Sequence, residues 1–165
     1  MKIKTSIFLL VSLFLVFSIV QGSGDKADLK KLAEKIQKAW DDQDIDALVQ
    51  NYAEDATMMM PGEAELLRGR KAIAKNQEAY FRAFPDMTIK FNTIASQGNY
   101  IVFEGLVKGT FTGPLATPEG DIQPTGRSVK FGFAFIAKVN AKGLIVEDRT
   151  YFDNLDFMQQ IGVIK

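Results

Sequence analysis

The chain of 165 residues contains no cysteine and no histidine. Without cysteine it can form no disulfide framework, so an exported domain of this sequence depends on its hydrophobic core for stability. Cysteine and histidine also supply the usual ligands of transition metals, and their absence excludes most sites for such ions. Carboxylate sites for calcium or magnesium remain open, but the sequence has no loop of the D-x-D-x-D-G type. We expect no metal and no cofactor.

Neither sign of charge is in excess, because 20 Lys and Arg residues balance 20 Asp and Glu residues. Proteins that bind nucleic acid or an anionic membrane surface through electrostatics carry clustered positive charge. We therefore expect no nucleic-acid partner and no membrane association of the mature form.

The N-terminus has the three parts of a secretory signal peptide. Lys2 and Lys4 precede an apolar run over residues 7–20, and small and polar residues follow it. The run is shorter than the roughly 20 residues that a membrane-spanning helix needs. We predict a signal peptide over residues 1–22, cleaved near Gly22, and export of the mature chain to the periplasm or the extracellular space. A retained signal anchor is the alternative.

Apolar residues recur at helical spacing in the first half of the mature chain and at strand spacing in the second half. The i, i+3, i+4, i+7 pattern predicts helices at about residues 28–40, 44–52 and 70–84. A short strand is expected at residues 57–60, and four longer strands at 87–96, 100–112, 127–139 and 144–153, with a long loop at 113–126. This order is typical of a single α+β domain, over residues 23–165, with helices on one face of an antiparallel sheet.

The last predicted strand carries a row of polar side chains on one face. Successive side chains of a strand point to opposite sides of the sheet, so the odd-numbered residues share a face. These are Ile145, Glu147, Arg149, Tyr151 and Asp153. Such a face is either a solvated surface or the wall of a site.

Two segments of the chain resemble the SnoaL-like branch of the nuclear-transport-factor-2-like superfamily. The first follows the family pattern (G)-K-I-x-E-x-W-x-x-x-D and then L-x-x-Q-L-G, and the second follows G-T-H-T-G-P and P-T-G-R/K. The matching residues are Gly143, Ile145, Glu147, Asp153, Leu155, Gln160, Ile161 and Gly162, then Gly109 to Pro114 and Pro124 to Arg127. Two positions depart from the patterns, with Arg149 in place of tryptophan and Phe111 in place of histidine.

The resemblance implies a fold and a set of site residues. The fold is a strongly curved antiparallel sheet wrapped as a cone around N-terminal helices, the cystatin-like α+β barrel, with a pocket at its open end and frequent homodimers. Asp153 matches the aspartate that is the acid/base of the family's cyclases. Arg149 and Tyr151 would position and polarise the substrate. The alternative for Asp153 is a cap on the C-terminal helix, because aspartate is a favoured N-cap residue.

The aromatic and methionine rows that face the inside of such a cone are expected to form its core and, at the open end, an apolar pocket for a small hydrophobic organic ligand. The candidate pocket residues are Trp40, Tyr52, Met58, Met60, Phe81, Phe103, Phe111, Phe131, Phe133 and Glu147.

Three functions fit the sequence. The first is an exported SnoaL-like domain that binds a small molecule without catalysis, which the missing histidine and the arginine at position 149 favour. The second is a cofactor-free cyclase or isomerase that uses Asp153 as acid/base on a hydrophobic carbonyl compound. The third is a module for dimerisation.

Overall fold

The computed structural model describes residues 26–117 and 120–164. The predicted signal peptide and its cleavage site lie outside these residues. The described elements are α1 (Lys26–Asp41), α2 (Ile45–Val49), β1 (Tyr52–Met59), β2 (Leu67–Arg68), α3 (Arg70–Ala83), β3 (Thr88–Gln97), β4 (Tyr100–Thr110), β5 (Leu115–Thr117), β6 (Gly120–Ile122), β7 (Ser128–Val139), β8 (Ile145–Phe152) and α4 (Asn154–Gln160).

The helices form where the apolar spacing predicts them. Helix α1 buries Ala33, Ile36 and Ala39, which lie three residues apart and therefore share one stripe. Asp44 caps α2, since its carboxylate accepts a hydrogen bond from the amide of Ala47 at 2.9 Å. Helix α3 ends at Ala83, two residues before Pro85, as expected from the loss of helical geometry before proline.

Six strands form one sheet in the order β2-β1-β8-β7-β4-β3. All neighbouring strands are antiparallel except β1 and β8, which are parallel. Irregular register in three strand pairs bends the sheet around the helices. Gly105 allows one of these bends, because a Cβ there would stand 2.3 Å from the backbone oxygen of Lys90 on β3.

Two local predictions are wrong. The segment that ends in Tyr52 does not continue the second helix, because the carbonyl of Asn51 accepts a hydrogen bond from Ile145 and Tyr52 starts strand β1 beside β8. The predicted loop at residues 113–126 also contains the two-stranded hairpin of β5 and β6. The start of β1 depends on pairing with β8, more than 90 residues further along the chain, which local spacing does not reveal.

The concave face of the sheet holds the core. Aromatic rings fill it, with Phe103 stacked on Phe135 at 4.4 Å between centroids and Phe111 stacked on Phe84 at 5.2 Å. Helix α4 closes one end and buries Phe157 against Phe131. The predicted α+β architecture, an antiparallel-dominated curved sheet with helices on its inner side, is confirmed.

Candidate functional site

A cavity of about 70 Å³ lies between the helices and the concave face of the sheet. This volume is several times the roughly 10–15 Å³ that one water molecule requires. Apolar side chains supply most of its wall, and a few polar groups interrupt them. The lining residues are Ile36, Trp40, Leu48, Tyr52, Met58, Met60, Gln77, Tyr80, Met87, Ile89, Val107, Phe131, Phe133, Phe135, Asp148, Thr150 and Phe152.

Asp148 is the only carboxylate among these lining residues, and it is 3% exposed. The hydroxyl of Tyr52 donates to its Oδ2 at 2.7 Å, and the hydroxyl of Thr150 donates to its Oδ1 at 3.0 Å. Burial raises the pKa of Asp148 to about 6, although both hydrogen bonds oppose that shift by favouring the charged form. A carboxyl group with this pKa exchanges its proton near neutral pH.

Tyr52 acts as a permanent hydrogen-bond donor to this carboxyl. Burial, and then the negative charge of Asp148, raise the pKa of the Tyr52 phenol well above its usual value of 10. The phenol therefore keeps its proton over the whole range in which Asp148 titrates.

The inward position of Asp148 follows from the parallel pairing of β8 with β1. Met58 on β1 lies opposite Asp148, and Tyr52 at the start of β1 lies opposite Ile145. Against β7, Val139 pairs with Ile145 and Lys138 with Glu147, so β8 has one extra residue there, and both Ile145 and Asp148 are buried although they are three residues apart. From Asp148 onward the even-numbered residues of β8 face the cavity.

Replacing Tyr52 by phenylalanine is expected to raise the pKa of Asp148 further above about 6. The change removes a hydrogen bond that stabilises the carboxylate and leaves its burial unchanged. The pKa is measured from the pH dependence of the carboxyl ¹³C resonance of Asp148, which the spectrum of Asp148→Asn identifies. Tyr151→Phe is the matched control, since this exposed tyrosine lies outside the cavity lining, and it should leave the value unchanged. A lowered pKa in Tyr52→Phe would contradict the assigned hydrogen bond.

The structure corrects the position expected for Asp153. This residue is exposed and caps α4, because its Oδ1 accepts a hydrogen bond from the amide of Asp156 at 3.0 Å. It is not among the cavity-lining residues. Asp153 therefore has the alternative role, a cap on the C-terminal helix. Its position outside the cavity wall gives no support to an acid/base role.

The polar row formed by Glu147, Arg149 and Tyr151 also lies away from the cavity, on the outer face of the sheet. Arg149 Nε stands 3.3 Å from Glu147 Oε1 as an ion pair, without hydrogen-bond geometry to any described residue. Its guanidinium lies 5.9 Å from the ring centroid of Tyr100. Tyr151 is 46% exposed. Of the two alternatives for this row, a solvated surface and the wall of a site, the structure shows a half-solvated surface, where such ion pairs contribute little to stability.

The predicted pocket residues separate into three groups. Six line the cavity, namely Trp40, Tyr52, Met58, Met60, Phe131 and Phe133. Three are buried elsewhere, because Phe81 packs edge-on behind Trp40, Phe103 stacks on Phe135, and Phe111 stacks on Phe84. Glu147 lies on the outer face, which corrects its expected place in the pocket.

Sequence reasoning missed Asp148, Thr150 and Gln77. The odd-numbered face of the last strand has more polar residues, and the sequence prediction therefore placed the site on that face. The useful signal was the reverse, a single charged residue among the apolar and small side chains at positions 144, 146, 150 and 152. A lone carboxylate on a buried face must be paired or functional, because burying it is costly.

No group of three or more Asp and Glu side chains in the described part of the chain is arranged to hold a metal ion. Among residues 26–117 and 120–164, no helix is long and apolar enough to cross a membrane.

Comparison with known proteins identifies the fold and the family. A protein solved with a ketosteroid isomerase-like fold, from Catenulispora acidiphila, is 17% identical, with a TM-score of 0.66 over 80% of this chain and 92% of that one. A proposed SnoaL-like polyketide cyclase from a Jannaschia species is 16% identical, with a TM-score of 0.73 over 84% and 94% of the two chains. IdmH, a proposed polyketide cyclase from Streptomyces antibioticus, is 25% identical, with a TM-score of 0.63 over 81% and 97%.

The curated proteins include no sequence that matches this chain. The family described as SnoaL-like polyketide cyclase matches residues 30–161, which is most of the chain and includes every residue of the cavity wall. The chain therefore belongs to the SnoaL-like polyketide cyclase family.

Proposed function

We propose that the chain binds a small, largely apolar organic molecule in the cavity that contains Asp148. The single observation that carries this proposal is the cavity itself, an apolar and aromatic space with one buried carboxyl group in its wall. Ligand sites of this kind combine hydrophobic walls with a few polar groups that fix the orientation of the ligand. A flat ring with one polar substituent suits both parts of the wall.

A second candidate function, cofactor-free proton transfer, is favoured by the pKa of Asp148, which burial raises to about 6. In this reaction the Asp148 carboxylate takes a proton from the carbon next to a ligand carbonyl. The electrons of the broken C–H bond move to the carbonyl oxygen, and an enolate forms. Return of the proton to a different carbon of a conjugated enolate completes an isomerisation, and return to the same carbon gives hydrogen exchange. Attack of the enolate carbon on a second carbonyl, whose oxygen takes the proton back from Asp148, gives a cyclisation. Tyr52 and Thr150 hold the carboxyl in place through their hydrogen bonds.

Export and pairing of two copies are part of the proposal. Export is supported by the signal-peptide pattern of residues 1–22. Homodimer formation through the outer sheet face is supported by the exposure of Tyr100 and Tyr151 there. The balanced charge supports a mature form that binds neither nucleic acid nor a membrane.

Acetophenone tests both candidate functions, because it is a flat apolar ketone with exchangeable methyl protons. We expect saturable binding by calorimetry, and faster exchange of the methyl protons for deuterium, followed by NMR in D₂O. The exchange rate should rise as the pH passes about 6, when Asp148 loses its proton and becomes a base. Asp148→Asn should retain binding and lose about 100-fold or more of the exchange rate, the usual contribution of a general base.

Asp153→Asn is the matched control, because it removes a carboxylate that directly follows the same strand and lies outside the cavity wall. It should leave both binding and exchange unchanged. Absence of saturable binding by the wild-type protein would contradict the binding proposal. Binding with no acceleration of exchange, or acceleration that survives Asp148→Asn, would contradict proton transfer by Asp148.

A further inference from the structure

Gln77 is a second buried polar group in the cavity wall, and the proposed function does not use it. It lies on α3 and is 3% exposed, between Ile73 and Phe81 on the buried face of the helix. Its amide Nε2 has two hydrogens and two neighbours, Asn76 Oδ1 at 3.0 Å and Met58 Sδ at 3.5 Å. A thioether sulfur is a weak acceptor, so one N–H of this amide has only a weak partner.

A chain of hydrogen bonds fixes which way the Gln77 amide points. Asn76 Nδ2 donates to Glu63 Oε1 at 2.9 Å. A carboxylate oxygen only accepts, so Asn76 must turn its N–H to Glu63 and its carbonyl oxygen to Gln77. Gln77 must then present its NH₂ group to Asn76, which directs the second N–H to Met58. The oxygen and nitrogen atoms of a side-chain amide are otherwise hard to tell apart, and here the hydrogen-bond network decides which is which in Gln77.

The residue that accepts the weakly bonded N–H, Met58, is the strand neighbour of Asp148. Met58 and Asp148 are directly paired on the parallel strands β1 and β8. Paired residues of neighbouring strands stand about 4.8 Å apart and point to the same face, and both side chains line the cavity. A ligand atom that takes the place of the Met58 sulfur at the Gln77 amide therefore lies in the cavity whose wall contains the Asp148 carboxyl. Tyr80, three residues after Gln77 on α3, also lines the cavity, and burial raises the pKa of its phenol to about 12, so that it stays neutral.

We infer that Gln77 is the residue that gives the cavity a preference for a ligand carbonyl, because a carbonyl oxygen accepts the hydrogen bond that Gln77 Nε2 now directs at Met58 Sδ. The inference rests on the proposed function, because it assigns a further residue to the same cavity. The ligand is held with its carbonyl at Gln77 and its apolar body against the rest of the wall. Glu63 and Asn76 are positioning residues that keep the amide turned towards the ligand.

The test compares two ligands of the same shape, acetophenone and α-methylstyrene, in which a CH₂ group replaces the carbonyl oxygen. The measured quantity is the ratio of their dissociation constants, by calorimetry, for the wild-type protein and for Gln77→Met. Methionine keeps the length and unbranched shape of glutamine and removes the donor. We expect Gln77→Met to weaken the preference for acetophenone over α-methylstyrene by about threefold to tenfold, the usual effect of one hydrogen bond.

Gln159→Met is the matched control. It makes the same change at an exposed glutamine outside the cavity wall, so the preference for acetophenone should stay at the wild-type value. The carbonyl stretch of bound ¹³C-acetophenone gives a readout on the wild-type protein alone. It should lie below its frequency in a hydrocarbon solvent, and it should move back towards that frequency in Gln77→Met.

The outcomes separate the inference from the proposed function. Binding of both ligands with a ratio that Gln77→Met does not change would overturn the inference and leave the apolar binding site intact. A carbonyl stretch at the hydrocarbon value in the wild-type protein would do the same. No saturable binding of either ligand by the wild-type protein would overturn the binding site and the inference with it.

Discussion

Asp148→Asn is expected to stabilise the protein at pH 7.5 by about 2–3 kcal/mol and to leave its stability near pH 4 almost unchanged. In the folded state the pKa of Asp148 is about 6, and the ordinary value is 3.8. Between these values the folded protein binds a proton that the unfolded chain has released, so the free energy of unfolding falls as the pH rises from about 4 to 6. A difference of about two pKa units corresponds to about 3 kcal/mol. Asparagine has no charge to bury and does not show this loss.

Urea unfolding of the wild-type protein and the variant at several pH values between 4 and 7.5 measures this difference. Other groups do not obscure it, because they are common to both proteins. Asp86, for example, has a lowered pKa through its hydrogen bonds to Thr110, so its contribution is lost as the pH falls, in wild type and variant alike. Equal pH dependence of stability in the two proteins would mean that Asp148 is not buried in its charged form. Stabilisation together with loss of proton exchange would be the trade-off expected at a functional site.

Phe111→Ala is expected to lower the free energy of unfolding by about 3–5 kcal/mol, the usual cost of emptying a buried phenylalanine site. Phe111 is fully buried and stacks on Phe84, and the chain around it is tied to the end of α3, where Thr112 and Gly113 donate hydrogen bonds to the carbonyl of Ala83. The ring is not part of the cavity wall. The dissociation constant for acetophenone should therefore stay within about twofold of the wild-type value at temperatures where the variant is folded.

Phe133→Ala is the matched comparison, because Phe133 is half-buried and lines the cavity. It should lose less stability than Phe111→Ala and should change the acetophenone affinity more. Denaturant unfolding and calorimetry on both variants give the two quantities. The reverse pattern, with Phe111→Ala the weaker binder and the more stable protein, would place Phe111 in the site and contradict its position in the core.

Much of the fold can be predicted from the sequence because its signals are local. Helical spacing predicts α1 and α3, proline marks the end of α3, and alternation predicts β4, β7 and β8 to within a few residues. The start of β1 at Tyr52 cannot be predicted in this way, because its hydrogen bonds come from β8, more than 90 residues further along the chain. Pairing with a distant strand decides whether such a short apolar segment is helix or strand.

The candidate site shows the same division. Trp40, Met58 and Phe131 are pocket residues that apolar patterning suggests, and the cavity contains them. Asp148 lies within β8 and Asp153 directly follows it. The sequence alone does not say which of these two aspartates faces inward. A register shift of one residue exchanges the two faces of a strand, and the extra residue of β8 between Ile145 and Glu147 appears only in its pairing with β7.

By itself, the sequence determined the class of the fold, the absence of histidine, cysteine and net charge, and the apolar character of the interior. These depend on composition and on spacing along one chain segment. Only the tertiary structure decided that Asp148 faces the cavity, that Tyr52 and Thr150 hold its carboxyl, and that Gln77 turns a weakly bonded N–H towards the same space. These depend on which segments meet in the folded chain, and burial by those segments sets the pKa of the one carboxyl group in the cavity wall.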